Sequence, residues 1–261
     1  MDKKLITQQD IDAVEKSNLI VFTNAIMDSL KFPNLIACAE LKHCELKSVK
    51  LPNGCIHLIR LDNCTFEDTA FNQSTFNGSI HISHSNIENL TLPDIVLKDI
   101  YLVHCKMDNL ELPKIGENLF LLDCDISLTN MSSITCNKFD ITKCDLSNKS
   151  ITCSSRTALI ANCELSKTTL TFNVEESIKI QHCTITDSII ECEGDCGYID
   201  FENITFGENV SILFQDKRTK ISFTKFDGKQ PKIIWQKEKL KDTVTDFVNF
   251  LEEHQFKFKN L

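Results

Sequence analysis

Residues Ile59 to Phe66 read IRLDNCTF, and that phrase decides the fold because it returns about every twenty residues. It comes back as IHISHSNI (Ile80 to Ile87), IYLVHCKM (Ile100 to Met107), LFLLDCDI (Leu119 to Ile126), FDITKCDL (Phe139 to Leu146), ALIANCEL (Ala158 to Leu165) and IKIQHCTI (Ile178 to Ile185). An earlier copy ends in LKHCEL (Leu41 to Leu46), and weaker copies end at Ile204 and Phe226. The shared rule is apolar, any, apolar, two variable residues, a small residue that is nearly always Cys, any, apolar. Self-similarity at a fixed period marks stacked units, each burying its apolar face on its neighbours.

Counted from the Cys position, apolar or small residues stand five and three before it, at it, and two, five and seven after it. The last position holds Leu51, Phe71, Leu92, Leu112, Met131, Ile151, Leu170 and Ile190. Alternating steps of two and three make a five-residue period with two inward residues in each five. Neither the 3.6-residue period of a helix nor the two-residue period of a flat strand gives this spacing. A chain that turns a corner every five residues does, and four such sides make a turn of twenty. Length variation falls outside the span from five before the Cys to seven after it, as at Asn77 to Ser79 and Pro113 to Asn118. Three sides are therefore expected to be regular and the fourth to tolerate insertion. The predicted fold is an all-β solenoid, a quadrilateral parallel β-helix of about nine to ten turns with N- and C-terminal α-helical caps.

This rhythm, with a small residue two before a large apolar one, resembles the pentapeptide-repeat proteins. Matching pairs are Cys64 with Phe66, Thr69 with Phe71, Ser74 with Phe76, Cys144 with Leu146 and Cys163 with Leu165, within about residues 35 to 226. The resemblance implies a right-handed, four-sided β-helix with Leu or Phe at the central inward site. This chain uses Cys where that family favours Ala followed by Asp or Asn, which makes it a divergent member or a convergent relative.

Three segments follow. Residues 1–34 are expected to form an N-terminal helical cap, because Ile11, Val14, Ile20, Ala25, Ile26 and Leu30 are roughly helical in spacing from Gln8 to Leu30. Residues 35–227 carry the β-helix. In residues 228–261, beyond GKQP (Gly228 to Pro231), Gln236 to Gln255 reads as an amphipathic helix with Leu240, Val244, Phe247, Val248 and Leu251 on one stripe. That helix either caps the solenoid or forms a homodimer contact.

Thirteen cysteines would suggest disulfides in a small secreted chain, but 261 residues without a signal-peptide pattern do not fit that class. Seven of them (Cys44, Cys64, Cys105, Cys124, Cys144, Cys163, Cys183) share one repeat position, where Ser85 also occurs. A residue that exchanges with Ser at an inward site is a small buried filler, so free buried thiols are expected. A redox or metal ladder along that column is the competing reading. Cys192 and Cys196, four apart, carry only a weak metal spacing. No cofactor is expected. A net charge of −9 argues against direct nucleic-acid binding through phosphates and suits a basic partner or a solvated surface. No apolar run reaches bilayer length, and the expected compartment is the cytoplasm, with no membrane contact.

Two columns carry candidate sites. The residues just before the Cys position are His43, Asn63, His84, His104, Asp123, Lys143, Asn162 and His182, which the period places at a corner. His84 and His104, on adjacent turns, either share a metal or serve as hydrogen-bonded corner residues. The outward positions of the first short strand hold Arg60, His81, Tyr101, Phe120, Asp140, Leu159 and Lys179. Two residues further on stand Asp62, Ser83, Val103, Leu122, Thr142, Ala161 and Gln181. Tyr101, Val103, Phe120 and Leu122, with Leu159 nearby, are expected to form an apolar patch that binds a protein partner, unless a terminal segment covers it.

The sequence lacks GxSxG, P-loop, HExxH and GxGxxG motifs and has only seven glycines. Regular turns leave little room for the cleft of a carbohydrate-active β-helix enzyme, although Asp123 and Asp125 form a carboxylate pair. The expected function is a non-enzymatic scaffold presenting a rigid face to a protein. The family resemblance implies an alternative, a DNA mimic that inhibits or protects a topoisomerase or other DNA-binding enzyme. Glu67, Asp68, Glu88, Asp108 and Glu111 would supply its charge, diluted by Lys47, Lys50, Lys98 and Lys106.

Overall fold

In the computed structural model the described residues are 3–14, 19–52, 54–71, 75–194, 196–215 and 219–235. The chain divides into two compact units, Met1–Asn130 and Met131–Leu261. Each is an all-β parallel solenoid. Its turns are centred on Ala25, Cys44, Cys64, Ser85, Cys105 and Cys124 in the first unit and on Cys144, Cys163, Cys183, Ile204 and Phe226 in the second, about 11 in all.

The turn around Cys64 shows how the sequence makes the shape. Gly54–Asp62 forms the long side, followed by Thr65–Glu67, Ala70–Phe71 and Thr75–Phe76. Each short strand pairs in parallel with its counterparts one turn away: Ile80 lies opposite Ile59 and Ile100, and Ile87 opposite Phe66 and Met107. Ile59, Leu61, Cys64, Phe66, Thr69 and Phe71, the six inward positions of this turn, are all buried. Burial of each large apolar side chain contributes about 1.5–3 kcal/mol, so the repeat rule is a rule about the core.

Two corners per turn have a common backbone solution. The residue before the Cys position is left-handed in every turn of the first unit: Asn24, His43, Asn63, His84, His104 and Asp123 have φ between 50 and 55°. A second such corner stands four residues after the Cys position, at Ser29, Ser48, Asp68, Asn89 and Asn109. Asn, Asp and His tolerate this region far better than β-branched residues, which explains the polar residues at these corners. The next residue points inward and is small because the chain has just bent. Cys64 Sγ sits 3.4 Å from Asp62 O and 3.5 Å from Leu41 O, and its thiol donates toward these carbonyls. Ser85 Oγ donates to Ser83 O at 2.6 Å, and Thr69 Oγ1 reaches Leu46 O and Glu67 O at 3.2 and 3.3 Å. Cys, Ser and Thr are interchangeable here because each supplies a short donor.

The N-terminal cap departs from expectation. Among the described residues helix is confined to Gln8–Val14. Its first turn is held by a reciprocal cap in which Asp10 N donates to Thr7 Oγ1 and Thr7 N donates to Asp10 Oδ2. Ile11 is the buried residue of this helix. Leu19–Thr23 and Ala25–Asp28 are strands, paired in parallel with Leu35–Lys42 and Glu45–Lys47. Ile20, Phe22, Ala25, Met27, Leu30 and Phe32 occupy the six inward positions of a further turn, with Asn24 at its corner. The β-helix therefore begins before Leu35: its first full turn starts near Leu19, with Lys4–Leu5 already paired in parallel on Ala25–Ile26, and Ala25 in place of Cys hid that turn. The helix expected over Gln236 to Gln255 lies outside the described residues.

In the second unit the sides run into one another, giving long strands Ser150–Ala161, Thr169–Gln181, Tyr198–Phe206 and Lys220–Gly228. Its last turns fill inward positions with rings: Phe201 and Phe223 stack at 4.8 Å and 8°, with Phe206 and Phe226 packed edge-on or tilted around them. Register shifts between Ile36 and Cys38 and between Ser155 and Thr157 fall outside the three regular sides, as expected. A further shift, where Asp108 meets Leu128, falls inside them and leaves Leu128 exposed.

Candidate interaction surface

The long side of the first unit presents two outward residues per turn. In successive turns these are Val21 and Thr23, Glu40 and Lys42, Arg60 and Asp62, His81 and Ser83, Tyr101 and Val103, Phe120 and Leu122. After the uncharged turn of Val21 and Thr23, the face grades from charged to apolar. Glu40 pairs with Lys42 at 2.9 Å and with Arg60 at 3.8 Å, and Asp62 accepts from Ser83 Oγ at 2.8 Å. Beyond these, His81 packs its ring against Tyr101 at 4.4 Å and 62°, and Tyr101 meets Phe120 at 5.9 Å and 50°. Parallel pairing places Tyr101 opposite Phe120 and Val103 opposite Leu122. All four are half-buried. Burial lowers the His81 pKa, helped by the Arg60 charge, and raises that of Tyr101.

The structure thus brings together four of the five predicted residues. The fifth, Leu159, lies in the second unit between Asp140 and Lys179 on paired strands. Gln8 anchors its helix on the Lys31 backbone, with Nε2 2.8 Å from Lys31 O and Lys31 N 3.0 Å from Oε1.

The corner columns hold a feature that reading the columns separately missed. His84 Nδ1 lies 3.1 Å from Asp62 Oδ1, His104 Nδ1 lies 3.0 Å from Asp123 Oδ2, and the two rings stack at 5.0 Å and 25°. The available signal was an Asp one or two residues before the Cys position in the neighbouring turns. The Ser83 hydroxyl, followed by His84, holds the Asp62 carboxyl below the ordinary carboxylate value.

No disulfide joins any of the thirteen cysteines, and all but Cys38 are buried. The Cys44 sulfur and burial both penalise a thiolate at Cys64 and push its pKa up. The Cys124 and Cys183 sulfurs act in the same way on Cys105 and Cys163. Burial raises Cys192 and Cys196 likewise. In each pair the thiol–thiol hydrogen bond that raises one member lowers the other, bringing Cys44 down to about 7 and holding Cys124 and Cys183 below the ordinary thiol value, so the column is a packed core of hydrogen-bonded thiols. Among the described residues no group of three or more His, Cys, Asp or Glu side chains could hold a metal ion. No described helix is long and apolar enough to cross a membrane.

No protein-family model, curated protein or solved structure matches the chain. What the fold offers therefore has to be read from its surfaces. A shallow groove of about 400 Å³ between residues 90–94 and 109–114 contains Asp94, Glu111 and Lys114 among two prolines and polar backbone. It is open and mostly polar, whereas the ring column on the long side is contiguous and apolar.

Proposed function

We propose that the chain is a non-enzymatic scaffold that presents the flat long side of its first unit to a protein partner. The observation that carries this reading is the in-register column His81, Tyr101, Phe120, with Val103 and Leu122 beside it, on a face where Glu40, Lys42 and Arg60 are charge-paired. Amphipathic rings held on a rigid sheet bind with little ordering cost, and such patches concentrate contact energy. The five-residue rhythm supports a place among divergent pentapeptide-repeat proteins.

The experiment is affinity capture from an extract of the native host. Wild-type chain should retain a defined protein that the Tyr101→Ser, Phe120→Ser double variant loses while keeping its melting temperature within a few degrees. Capture unaffected by the double variant, or no specific capture, overturns the reading.

A net charge of −9 favours a second reading, mimicry of DNA toward a topoisomerase. Inhibition of supercoiling at micromolar protein is its test, and no effect at that concentration removes it.

A further inference from the structure

We infer that the corner formed by His84 and His104 binds a divalent late transition metal ion through the two Nε2 atoms. The inference does not rest on the protein-binding reading.

It starts from where the ring protons sit. Ionised carboxylates only accept hydrogen bonds. Asp62 Oδ1 at 3.1 Å and Asp123 Oδ2 at 3.0 Å therefore hold the N–H on Nδ1 of His84 and of His104. In each neutral imidazole the Nε2 lone pair is then left as the free acceptor. His43, in the same column, is the contrary case. The Asn63 amide Nδ2, a donor, lies 2.9 Å from His43 Nδ1, so the His43 proton belongs on Nε2 and that nitrogen is no ligand.

The backbone then sets the two rings side by side. His84 and His104 follow Ser83 and Val103, which are directly paired across parallel strands. Both have nearly the same left-handed φ, 50 and 53°. Their rings stack at 5.0 Å and 25°, and both side chains are open to solvent, 60% and 45% exposed. Two metal–imidazole bonds of about 2.0–2.1 Å at a tetrahedral angle set their nitrogens about 3.3 Å apart, so both rings turn out of the stack to bring their Nε2 atoms onto one ion, which their exposure to solvent allows. Imidazole nitrogens select Zn²⁺, Ni²⁺ and Cu²⁺ over Mg²⁺ and Ca²⁺.

A carboxylate on the far nitrogen of each ligating ring orients that ring and raises its basicity, which is the usual outer partner of a histidine–metal bond. Asp62 is itself fixed, because Ser83 Oγ donates to it at 2.8 Å. Among the described residues no third ligand converges here, so water completes the coordination.

The test is calorimetric titration of the full chain with Zn²⁺ or Ni²⁺ alone, comparing wild type with His84→Asn, His104→Asn, Asp123→Asn and His43→Asn. Asn occupies the same corner natively at Asn63 and Asn162, so these variants keep the left-handed backbone. The expected result is one ion per chain, binding weakened at least about tenfold by either His84→Asn or His104→Asn and about tenfold by Asp123→Asn, and unchanged by His43→Asn. Imidazole nitrogen resonances of His84 and His104 should shift together as Zn²⁺ is added. Absence of saturable binding, or equal affinity in the His84→Asn, His104→Asn double variant, overturns the proposal.

Discussion

Ser85 Oγ accepts the amide proton of Cys64 at 3.0 Å and passes its own proton to Ser83 O at 2.6 Å, so one hydroxyl joins two successive turns at a buried corner. Cys124 Sγ does the same for the Cys105 amide, at 3.5 Å. Removing the hydroxyl strands a buried N–H, whereas changing oxygen for sulfur does not. Ser85→Ala should cost about 1–3 kcal/mol and Ser85→Cys under about 1 kcal/mol, read from urea midpoints at unchanged slope.

The left-handed corners make a sharper prediction. Asn63 has φ 51°, which a β-branched side chain resists. Asn63→Ile should lower stability by about 1–3 kcal/mol, and Asn63→Gly should stay within about 1 kcal/mol of wild type. Equal losses in the two variants, measured by chemical denaturation, would show that side-chain contacts and not backbone geometry hold the corner.

Tyr101 and Leu102 are neighbours on one strand that face opposite ways. Tyr101 is half-buried on the outer face, while Leu102 is wholly buried. Tyr101→Ser should cost about 0.2–1 kcal/mol through lost cross-strand contacts with His81 and Phe120, and Leu102→Ala about 2–5 kcal/mol through a cavity. Thermal melts of the two variants separate the outward patch from the core.

Two aspartates on the long sides titrate in opposite senses. Burial holds the Asp140 carboxyl above its ordinary value near 3.8, against the pull of the Thr142 hydroxyl and the Lys138 ammonium. Its ionised form is thus disfavoured in the folded chain. The resulting loss of stability is absent well below pH 4 and present above it. Asp140→Asn, which can still accept from Thr142, should stabilise at pH 7 and be neutral near pH 3. Asp62, held below the same value by Ser83 and then His84, stabilises above about pH 4, and this is lost as pH falls through its lower folded value. Asp62→Asn should therefore destabilise at pH 7 and change little near pH 2. Denaturation midpoints at the two extremes decide both signs.

Much of this was legible before any coordinates, because inward packing imposes a strict spacing. Ile100, Leu102, Cys105, Met107 and Leu110 are each buried where the five-residue period puts them, and His104 stands at the corner it was assigned. The second corner went unread because Ser48, Asp68, Asn89 and Asn109 look like ordinary surface polar residues until their φ values are seen. The first turn went unread for a related reason. Ile26 and Leu30, four apart, mimic a helical step, whereas Ile20, Ala25 and Leu30 keep the five-residue rhythm with Asn24 at the corner before Ala25. Side-chain partnerships across turns, such as Asp62 with His84, depend on rotamers that a column of letters does not encode.

Leu46 meets Met27 on one side and Phe66 on the other in the same parallel alignment, and Phe66, Ile87 and Met107 continue it, so these turns offer their neighbours the same pair of edges. Length is accordingly a free variable of the architecture. A tandem duplication or deletion of one whole turn would rejoin compatible edges, leaving the outer residues free to diverge while the inner ones stay fixed.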